Sequence, residues 1–379
     1  MKVLFVGGGT GGHINPALAM AGYLKRREPD AQILYVGAEG GMECRLVPAA
    51  GYEIKTIRIS GFQRRLTLKN LVRNAKTVVR MFTSTSQAKK IIRDFGPDVC
   101  VGTGGYVSGP VIRAAARMKI PCVIHESNAF PGVTTKMLAH SVDTVMLAVE
   151  DAQKFFDDQV HCEVTGNPVR GEILDADQEE SRRKLGLDER PLVLSFGGSL
   201  GAAAMNRAAA EMLAHSAKTG KYQHIHGYGT HDDDFLQTVK SLGITREKYP
   251  QIRLLPYIDD MPDVLAAADL VIGRAGAMTL TEIEAKGKAS ILIPSPNVAE
   301  NHQFYNAKAL SDRGAAELIE EKDLTGEKLW QTVQAVFETP GRLQSLEKSA
   351  LQMGIRDADV RIYHVIKKAA RRTPAGADA

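Results

Sequence analysis

Three glycine clusters interrupt this sequence, each directly after a short apolar run and directly before a longer amphipathic stretch. Gly7-Gly8-Gly9-Thr10-Gly11-Gly12-His13 follows the run 2–6 (KVLFV). Gly102-Thr103-Gly104-Gly105, continuing to Ser108-Gly109, follows 98–102, and Gly197-Gly198-Ser199-Leu200-Gly201 follows 191–196. An apolar run, a turn without β-carbons and a helical stretch, repeated along a chain, are the mark of βαβ units and a parallel sheet. Strands are expected at 2–6, 32–36, 53–58, 98–102, 121–125 and 142–148, with helices at 15–27, 39–50, 66–94, 110–118 and 132–140 between them. A second series puts strands near 191–196, 222–226, 251–255, 269–272, 290–294 and 315–319. Two such series predict two doubly wound α/β domains.

The stretch VTGNPVRG at 164–171 reads as the boundary, because Asn-Pro and its flanking glycines break both kinds of periodicity. It gives domains at 1–165 and 166–349. Helices are expected near 324–337, 341–352 and 356–370; the terminal one, about 350–372, is a candidate to pack back on the first domain, and the tail 373–379 is expected to be disordered.

Composition narrows the function classes. A net charge of +4 on 379 residues gives no support to nucleic-acid binding. Cys44, Cys100, Cys122 and Cys162 show no C-x-x-C spacing and read as reduced core residues. No run reaches the ~18 apolar residues of a membrane span, and MKVLFVGGG is too short for a signal-peptide core, so a cytoplasmic protein is expected.

Backbone N–H groups in a glycine turn can approach a phosphate, and the helix that follows presents its positive end. In the first loop, Asn15 and Pro16 fit the N-cap and first helical position. Gly7, Gly9 and Gly12 also spell G-x-G-x-x-G, so a nicotinamide or flavin oxidoreductase is a competing reading. That reading wants an acidic residue at the end of the second strand; Glu39 is near, but equally suits the start of the next helix. A P-loop G-x-x-x-x-G-K-[ST] is absent.

Several polar residues stand at carboxyl ends of expected strands. His13 closes the first loop, where a near-neutral imidazole can take a proton from a hydroxyl. His125-Glu126-Ser127-Asn128 follows strand 121–125, as a polar cluster or as a loop with a capping Asn. The stretch from Gly273-Arg274 to Thr281-Glu282 follows strand 269–272 and opens a helix; Glu282 can accept from a ribose diol, or simply favour the helix dipole. Asn301-His302-Gln303 follows Pro294-Ser295-Pro296. The D-x-D pairs at Asp175/Asp177 and Asp357/Asp359 fall in a linker and a terminal helix, so no metal is expected.

Segment 62–93 carries nine Lys and Arg and no Asp or Glu. Leu68, Leu71, Val72, Val79 and Phe82 recur at helical spacing among Arg73, Lys76 and Arg80. A surface helix mixes signs. This one-sign face fits docking on an anionic membrane, with an ordinary solvated face as the alternative.

Together these segments resemble the MurG family, bacterial transferases that add N-acetylglucosamine to lipid-linked N-acetylmuramyl-pentapeptide. The resemblance rests on GGGTGGH at 7–13, RISG at 58–61, PDVCVGTGGYVSGP at 97–110, HESN at 125–128, GNPVR at 166–170, GGSLGA at 197–202, IDDM at 258–261, GRAGAMTLTEIEAKG at 273–287 and NHQFYNA at 301–307. It implies the GT-B fold, two Rossmann-like doubly wound parallel-sheet domains facing across a cleft. It implies a UDP-N-acetylglucosamine donor touching Thr10, Gly11, Gly12, Asn128, Arg170, Ser199, Ile258, the run Ala277, Met278, Thr279, Leu280, Thr281 and Glu282, and Gln303. The uracil would meet the backbone near Ile258, and Glu282 would hold the ribose. Gly104, Gly105 and Tyr106 resemble the family's site for the acceptor diphosphate. The third loop departs from the family's GGSQGA, with Leu200 in place of Gln.

The resemblance further implies a single inverting displacement by the acceptor's C4 hydroxyl. His13 is the expected base and Glu126 the second candidate. Helix N-termini after the Ser199 and Gly276 loops, with Arg170, would replace a metal as the support for leaving UDP. No cofactor is expected, and the partners would be UDP-N-acetylglucosamine, undecaprenyl-diphospho-N-acetylmuramyl-pentapeptide and the cytoplasmic face of the inner membrane. Within the same fold, a UDP-N-acetylglucosamine 2-epimerase or a diacylglycerol glucosyltransferase is the alternative; a non-catalytic nucleotide-sugar sensor is another.

Overall fold

The computed structural model describes residues 1–59, 83–232 and 234–371. The chain divides into two compact units. Unit 1 comprises Met1–Pro168 with Asp357–Ala379, and unit 2 comprises Val169–Arg356.

Unit 1 is built on a seven-stranded sheet. Its strands are β1 (Lys2–Val6), β2 (Gln32–Ala38), β3 (Glu53–Ile57), β4 (Val99–Gly102), β5 (Cys122–Glu126), β6 (Thr144–Leu147) and β7 (Cys162–Val164), in spatial order β3-β2-β1-β4-β5-β6-β7. Every neighbouring pair is parallel. A central parallel strand is covered by helices on both faces, which is why β1 and β4 read as largely apolar runs and, with β5, are almost wholly buried. The edge strand β7 was not expected from the sequence. It is three residues long and only half-buried, so it has neither the length nor the apolar content that marks a strand.

Unit 2 repeats the plan with six strands: β8 (Leu192–Phe196), β9 (Gln223–Gly227), β10 (Ile252–Leu255), β11 (Leu270–Gly273), β12 (Ala289–Leu292) and β13 (Glu317–Leu318). Their order is β10-β9-β8-β11-β12-β13, again parallel throughout. Both sheets therefore reverse direction of travel once, between β1 and β4 and between β8 and β11. Ligands of open α/β sheets bind outside the carboxyl ends of the strands at such a switch point. The first and second glycine loops flank the switch in unit 1. The third loop and the turn after β11 flank it in unit 2.

The first helix differs from expectation. It runs Gly11–Arg27, with Thr10 at its N-cap and Pro16 inside it. The carbonyl of Thr10 already accepts from the amides of His13 and Ile14, so the glycine turn itself winds the first turn and Asn15 is not the cap. In the expected 66–94 helix, residues 83–95 are helical; 60–82 lie outside the described residues, and with them Leu68, Leu71, Val72, Arg73, Lys76, Val79, Arg80 and Phe82. The tail 373–379 lies outside them as well.

Unit 2 closes with the helix Arg342–Met353, and the chain then forms the helix Ala358–Ala370, which packs in unit 1 against β4, β5, β6 and the first helix. It buries Ile362, Tyr363, Val365 and Ile366. Its outer edge is tied to the first helix, where Tyr363 and Lys367 both donate to Glu28.

Candidate active site

In unit 1 the first and second glycine loops interlock. Gly104 and Gly105 have φ of +102° and +79°, a region L side chains rarely adopt. A β-carbon at Gly104 would stand 2.6 Å from Nδ1 of His13, and one at Gly105 would strike the carbonyl of Gly8. The ring of Tyr106 lies against Gly9. Ser108 ties the base of the second loop down, donating to the carbonyls of Gly104 and Val6 at 2.6 and 3.1 Å.

This packing fixes the imidazole of His13. Its Nδ1 is 3.0 Å from the main-chain oxygen of Thr103. A carbonyl can only accept, so Nδ1 carries the proton and Nε2 is the nitrogen with the lone pair. Thr10 and Gly12 are exposed beside it, and Gly11 is half-buried.

The inner side of the first loop is filled by a side chain of the protein itself. The carboxylate of Glu43, fully buried, fills the crook of the turn. It accepts from the amide of Gly9 at 3.3 Å and of Ala38 at 2.9 Å. Gly8, Gly37 and Gly41 pack directly on it, which leaves no space for a β-carbon at any of the three. An internal carboxyl group thus takes the amide of Gly9, one of the loop donors that a dinucleotide phosphate would use. Glu39, the other acidic candidate, sits outside this turn and takes the guanidinium of Arg58 at 3.0 Å. Burial, with Glu43 nearby, pushes the Tyr106 phenol above its ordinary range, so it remains a neutral donor.

Beyond β5, Glu126 is buried and accepts four hydrogen bonds. One oxygen takes the amide and side-chain NH2 of Asn128, both at 3.1 Å; the other takes the amide of Gly132 at 2.9 Å and the hydroxyl of Thr135 at 2.7 Å. Such a carboxylate organises the 126–135 loop, with its acceptor sites taken up by these four donors. His125 is buried beside it, with Nε2 3.0 Å from the carbonyl of Gly166, and burial holds its pKa below the usual value.

Unit 2 holds a cavity of about 610 Å³ at its switch point. It is lined by the glycines of the third loop, by Gly276 and Thr279 at the start of the helix Ala277–Lys286, and by Gln303. Gln303 accepts from the amide of Ser295 at 2.9 Å, which leaves its NH2 as the donor end. Arg274 also lines the cavity; it donates to the carbonyls of Ile293 and Pro294 and pairs with Glu321. Beside this helix, Arg170 donates from Nε and Nη2 to one oxygen of Glu282, each at 3.0 Å. Burial raises the Glu282 pKa and Arg170 opposes it.

The expected run 277–282 splits by helical phase. Thr279 faces the cavity, Leu280 belongs to the apolar core, the Thr281 hydroxyl bonds back to the carbonyl of Ala277, and Glu282 meets Arg170. Ala277 and Met278 are half-buried at the helix start. Ser199 is exposed at the tip of the third loop, where its carbonyl accepts from Thr230, and Ile258 is buried over Gly227. Glu43 and Glu321 escaped the sequence reading, and Arg274 entered it only as part of the stretch that opens the helix. A basic residue two places before the helix that opens at Gly276 was the available signal for Arg274; nothing local marks Glu43 or Glu321.

One member of each D-x-D pair stands at a helix start. Asp177 caps the helix Gln178–Lys184 by accepting from the amide of Glu180, and Asp357 pairs with Arg361 at 2.9 Å. Among the described residues no group of three or more His, Cys, Asp and Glu could hold a metal ion, and no helix is long and apolar enough to cross a membrane.

Comparison with known proteins agrees along the whole chain. Residues 3–147 match the glycosyltransferase family 28 N-terminal domain and residues 192–362 its C-terminal domain. A protein of Acetivibrio thermocellus named UDP-N-acetylglucosamine--N-acetylmuramyl-(pentapeptide) pyrophosphoryl-undecaprenol N-acetylglucosamine transferase is 46% identical over 99% of this chain and 100% of its own. A protein of the same name from Halalkalibacterium halodurans is 43% identical over 98% and 100%. The crystal structure of Acinetobacter baumannii MurG superposes with a TM-score of 0.76 at 28% identity, covering 97% of this chain and 99% of that one. A UDP-GlcNAc 2-epimerase of Neisseria meningitidis, at 14% identity and a TM-score of 0.64 over 97% and 100%, shares the fold alone. With both family 28 domains matched in order on a GT-B architecture, and with relatives this similar over nearly their full length, the chain belongs to the MurG family of glycosyltransferases.

Proposed function

We propose that the protein transfers N-acetylglucosamine from UDP-N-acetylglucosamine to the C4 hydroxyl of undecaprenyl-diphospho-N-acetylmuramyl-pentapeptide, the step of peptidoglycan synthesis that converts lipid I to lipid II. The observation that carries this reading is the one activity named for relatives that match the chain from end to end. Its nucleotide half fits unit 2, where the cavity combines backbone donors, the start of a helix and polar side chains at the sheet's switch point.

In this reading unit 2 binds the UDP, with Glu282 accepting from the ribose and Gln303 donating to the sugar. Unit 1 supplies the base. The acceptor oxygen attacks the anomeric carbon from the side opposite UDP, its proton passes to Nε2 of His13, and the bond to the diphosphate breaks with its electron pair on the leaving oxygen. A single displacement of an α-linked donor gives a β-linked product. Charge on the leaving diphosphate meets the helix N-termini at Ala203 and Ala277, which need no metal for the purpose. Glu126 holds the loop that carries Asn128 in place; the four donors on its carboxylate favour this task over that of the base. Gly104, Gly105 and Tyr106 remain the candidate site for the acceptor diphosphate.

The one-sign basic segment 62–93 supports attachment to an anionic membrane surface of the kind a cytoplasmic leaflet presents. Reversing charge at Arg73, Lys76 and Arg80 should lower binding to anionic vesicles at low salt while sparing turnover of a soluble acceptor; unchanged vesicle binding would remove the segment from this role.

The test of the whole reading is turnover of labelled UDP-N-acetylglucosamine with a short-chain lipid I analogue in excess EDTA. Disaccharide formation that depends on the acceptor is expected. Acceptor-independent loss of the donor would instead indicate an epimerase, donor binding without turnover a sensor, and turnover restored only by Mg²⁺ or Mn²⁺ would sink the metal-free mechanism.

A further inference from the structure

Three arginines of unit 2 stand near the groups assigned to the donor, and two of them are already neutralised. Arg170 is paired with Glu282. Arg274 is paired with Glu321 and holds two main-chain carbonyls besides. The third, Arg207, lines the cavity, is exposed, and has no hydrogen bond or ion pair among the described residues.

Its position on the helix aims it. Arg207 lies on the second turn of Ala203–Thr219, the helix that follows the third glycine loop. Side chains on a helix lean toward its N-terminus and cover the residues three and four places earlier. Those residues are Ala204 and Ala203, both small and both in the cavity wall. Methyl groups there leave a path for a long side chain to lie back over the helix start, toward Gly198 and Gly201. A guanidinium on that path adds a full charge, with a fork of N–H donors, to the partial charge of the helix end.

We propose that Arg207 contacts the donor's β-phosphate and takes up the negative charge that appears on it as the sugar leaves. The inference rests on the assignment of the nucleotide sugar to unit 2. Bond breaking at the anomeric carbon puts an electron pair on the β-phosphate oxygen, so UDP carries more negative charge than the UDP-sugar did. A cation with no other partner among the described residues interacts more strongly with the product-like state than with the ground state, and that difference accelerates the step. It also makes Arg207 a determinant of product inhibition, since the same contact holds UDP after transfer.

The test compares wild type with Arg207→Gln and Arg207→Lys by calorimetry with UDP, UMP and uridine, together with steady-state turnover. Arg207→Gln should weaken UDP by ~10-fold, the scale of one charge-assisted hydrogen bond, with a smaller loss for UMP and uridine within about twofold. Turnover should fall by more than the donor KM rises, inhibition by UDP should be relieved, and Arg207→Lys should recover a large part of both. Unchanged UDP affinity in Arg207→Gln would make Arg207 an ordinary surface cation. An equal loss for uridine would mean that the substitution acts through the fold, and that too overturns the proposal. A wild-type protein that binds neither UDP nor uridine would instead bring down the nucleotide assignment itself.

Discussion

His13 and Thr103 hold each other by reciprocal hydrogen bonds: the His13 ring donates Nδ1–H to the Thr103 carbonyl at 3.0 Å, and the Thr103 hydroxyl donates to the His13 carbonyl at 2.7 Å. The two residues are ninety positions apart and sit at the carboxyl ends of β1 and β4. Neither bond is an ion pair, and Nδ1–H donates whether or not Nε2 carries a proton, so the clasp persists as the ring takes up and gives back a proton. It holds both the ring orientation and the tautomer with one residue.

His13→Gln should lose about 10²–10⁴ in kcat while affinity for the donor stays within a few-fold, because a positioned base acts on the chemical step. Gln keeps a donor for the Thr103 carbonyl but supplies no basic nitrogen. Steady-state kinetics with a soluble acceptor, alongside direct donor binding, make the check; near wild-type kcat would strip His13 of the role.

Glu126→Gln should lower both Tm and activity without changing the shape of the pH–rate profile. An amide NH2 in place of one carboxylate oxygen faces donors where an acceptor is needed, and a lost buried hydrogen bond of this kind costs about 1–3 kcal/mol. Loss of a limb of the profile would instead assign proton transfer to Glu126.

Glu282→Ala should raise the donor KM more than it lowers kcat, since a ribose contact is made equally in ground and transition states. It also releases Arg170 from its partner. A donor KM equal to that of wild type would remove Glu282 from the nucleotide site.

Glu284, one helical turn along from Leu280, should make unit 2 weaken as pH rises. Burial pushes its carboxyl up to about 8, against a pull in the other direction from Arg313, while the ordinary value is 4.5. Folding therefore takes up a proton between these values. The contribution of the neutral carboxyl is complete below the ordinary value and is lost as pH climbs through the folded one, by up to about 1.4 kcal/mol per pH unit. Glu284→Gln is neutral throughout, so its Tm relative to wild type should increase steadily across that range; a constant difference would show that Glu284 is ionised in the folded protein.

Much of the architecture could be read from the chain because a buried parallel strand leaves a local trace. The runs LFV in β1 and VCV in β4 are apolar on both faces and end in glycine, so their place and direction follow from a few adjacent residues. Strand β7 leaves no such trace. The helix start was misplaced at Asn15 because glycines suggest a turn, whereas Thr10 uses its carbonyl to begin the helix at Gly11. The place of His13 at the end of a glycine loop was legible, but its clasp with Thr103, ninety positions away, was not. The role of Glu43 was not, because its partners at Gly9 and Ala38 are brought to it by the pairing of β1 with β2. Likewise, the difference between Arg274 and Arg207 is invisible in sequence: it depends on Glu321, 47 positions from Arg274, reaching the same cavity.

The helix Ala358–Ala370 belongs to unit 1 yet follows the last residue of unit 2. On the ribosome, the face of β4, β5 and β6 that it covers must wait for the whole of unit 2 to be made, on the order of ten seconds or more at typical elongation rates. Unit 2 is a single continuous segment and is complete first. The domain begun at the N-terminus is thus the one finished last, and a nascent chain released early would carry a folded unit 2 beside an unclosed unit 1. Closure of unit 1 therefore waits on one late event, the docking of a single helix.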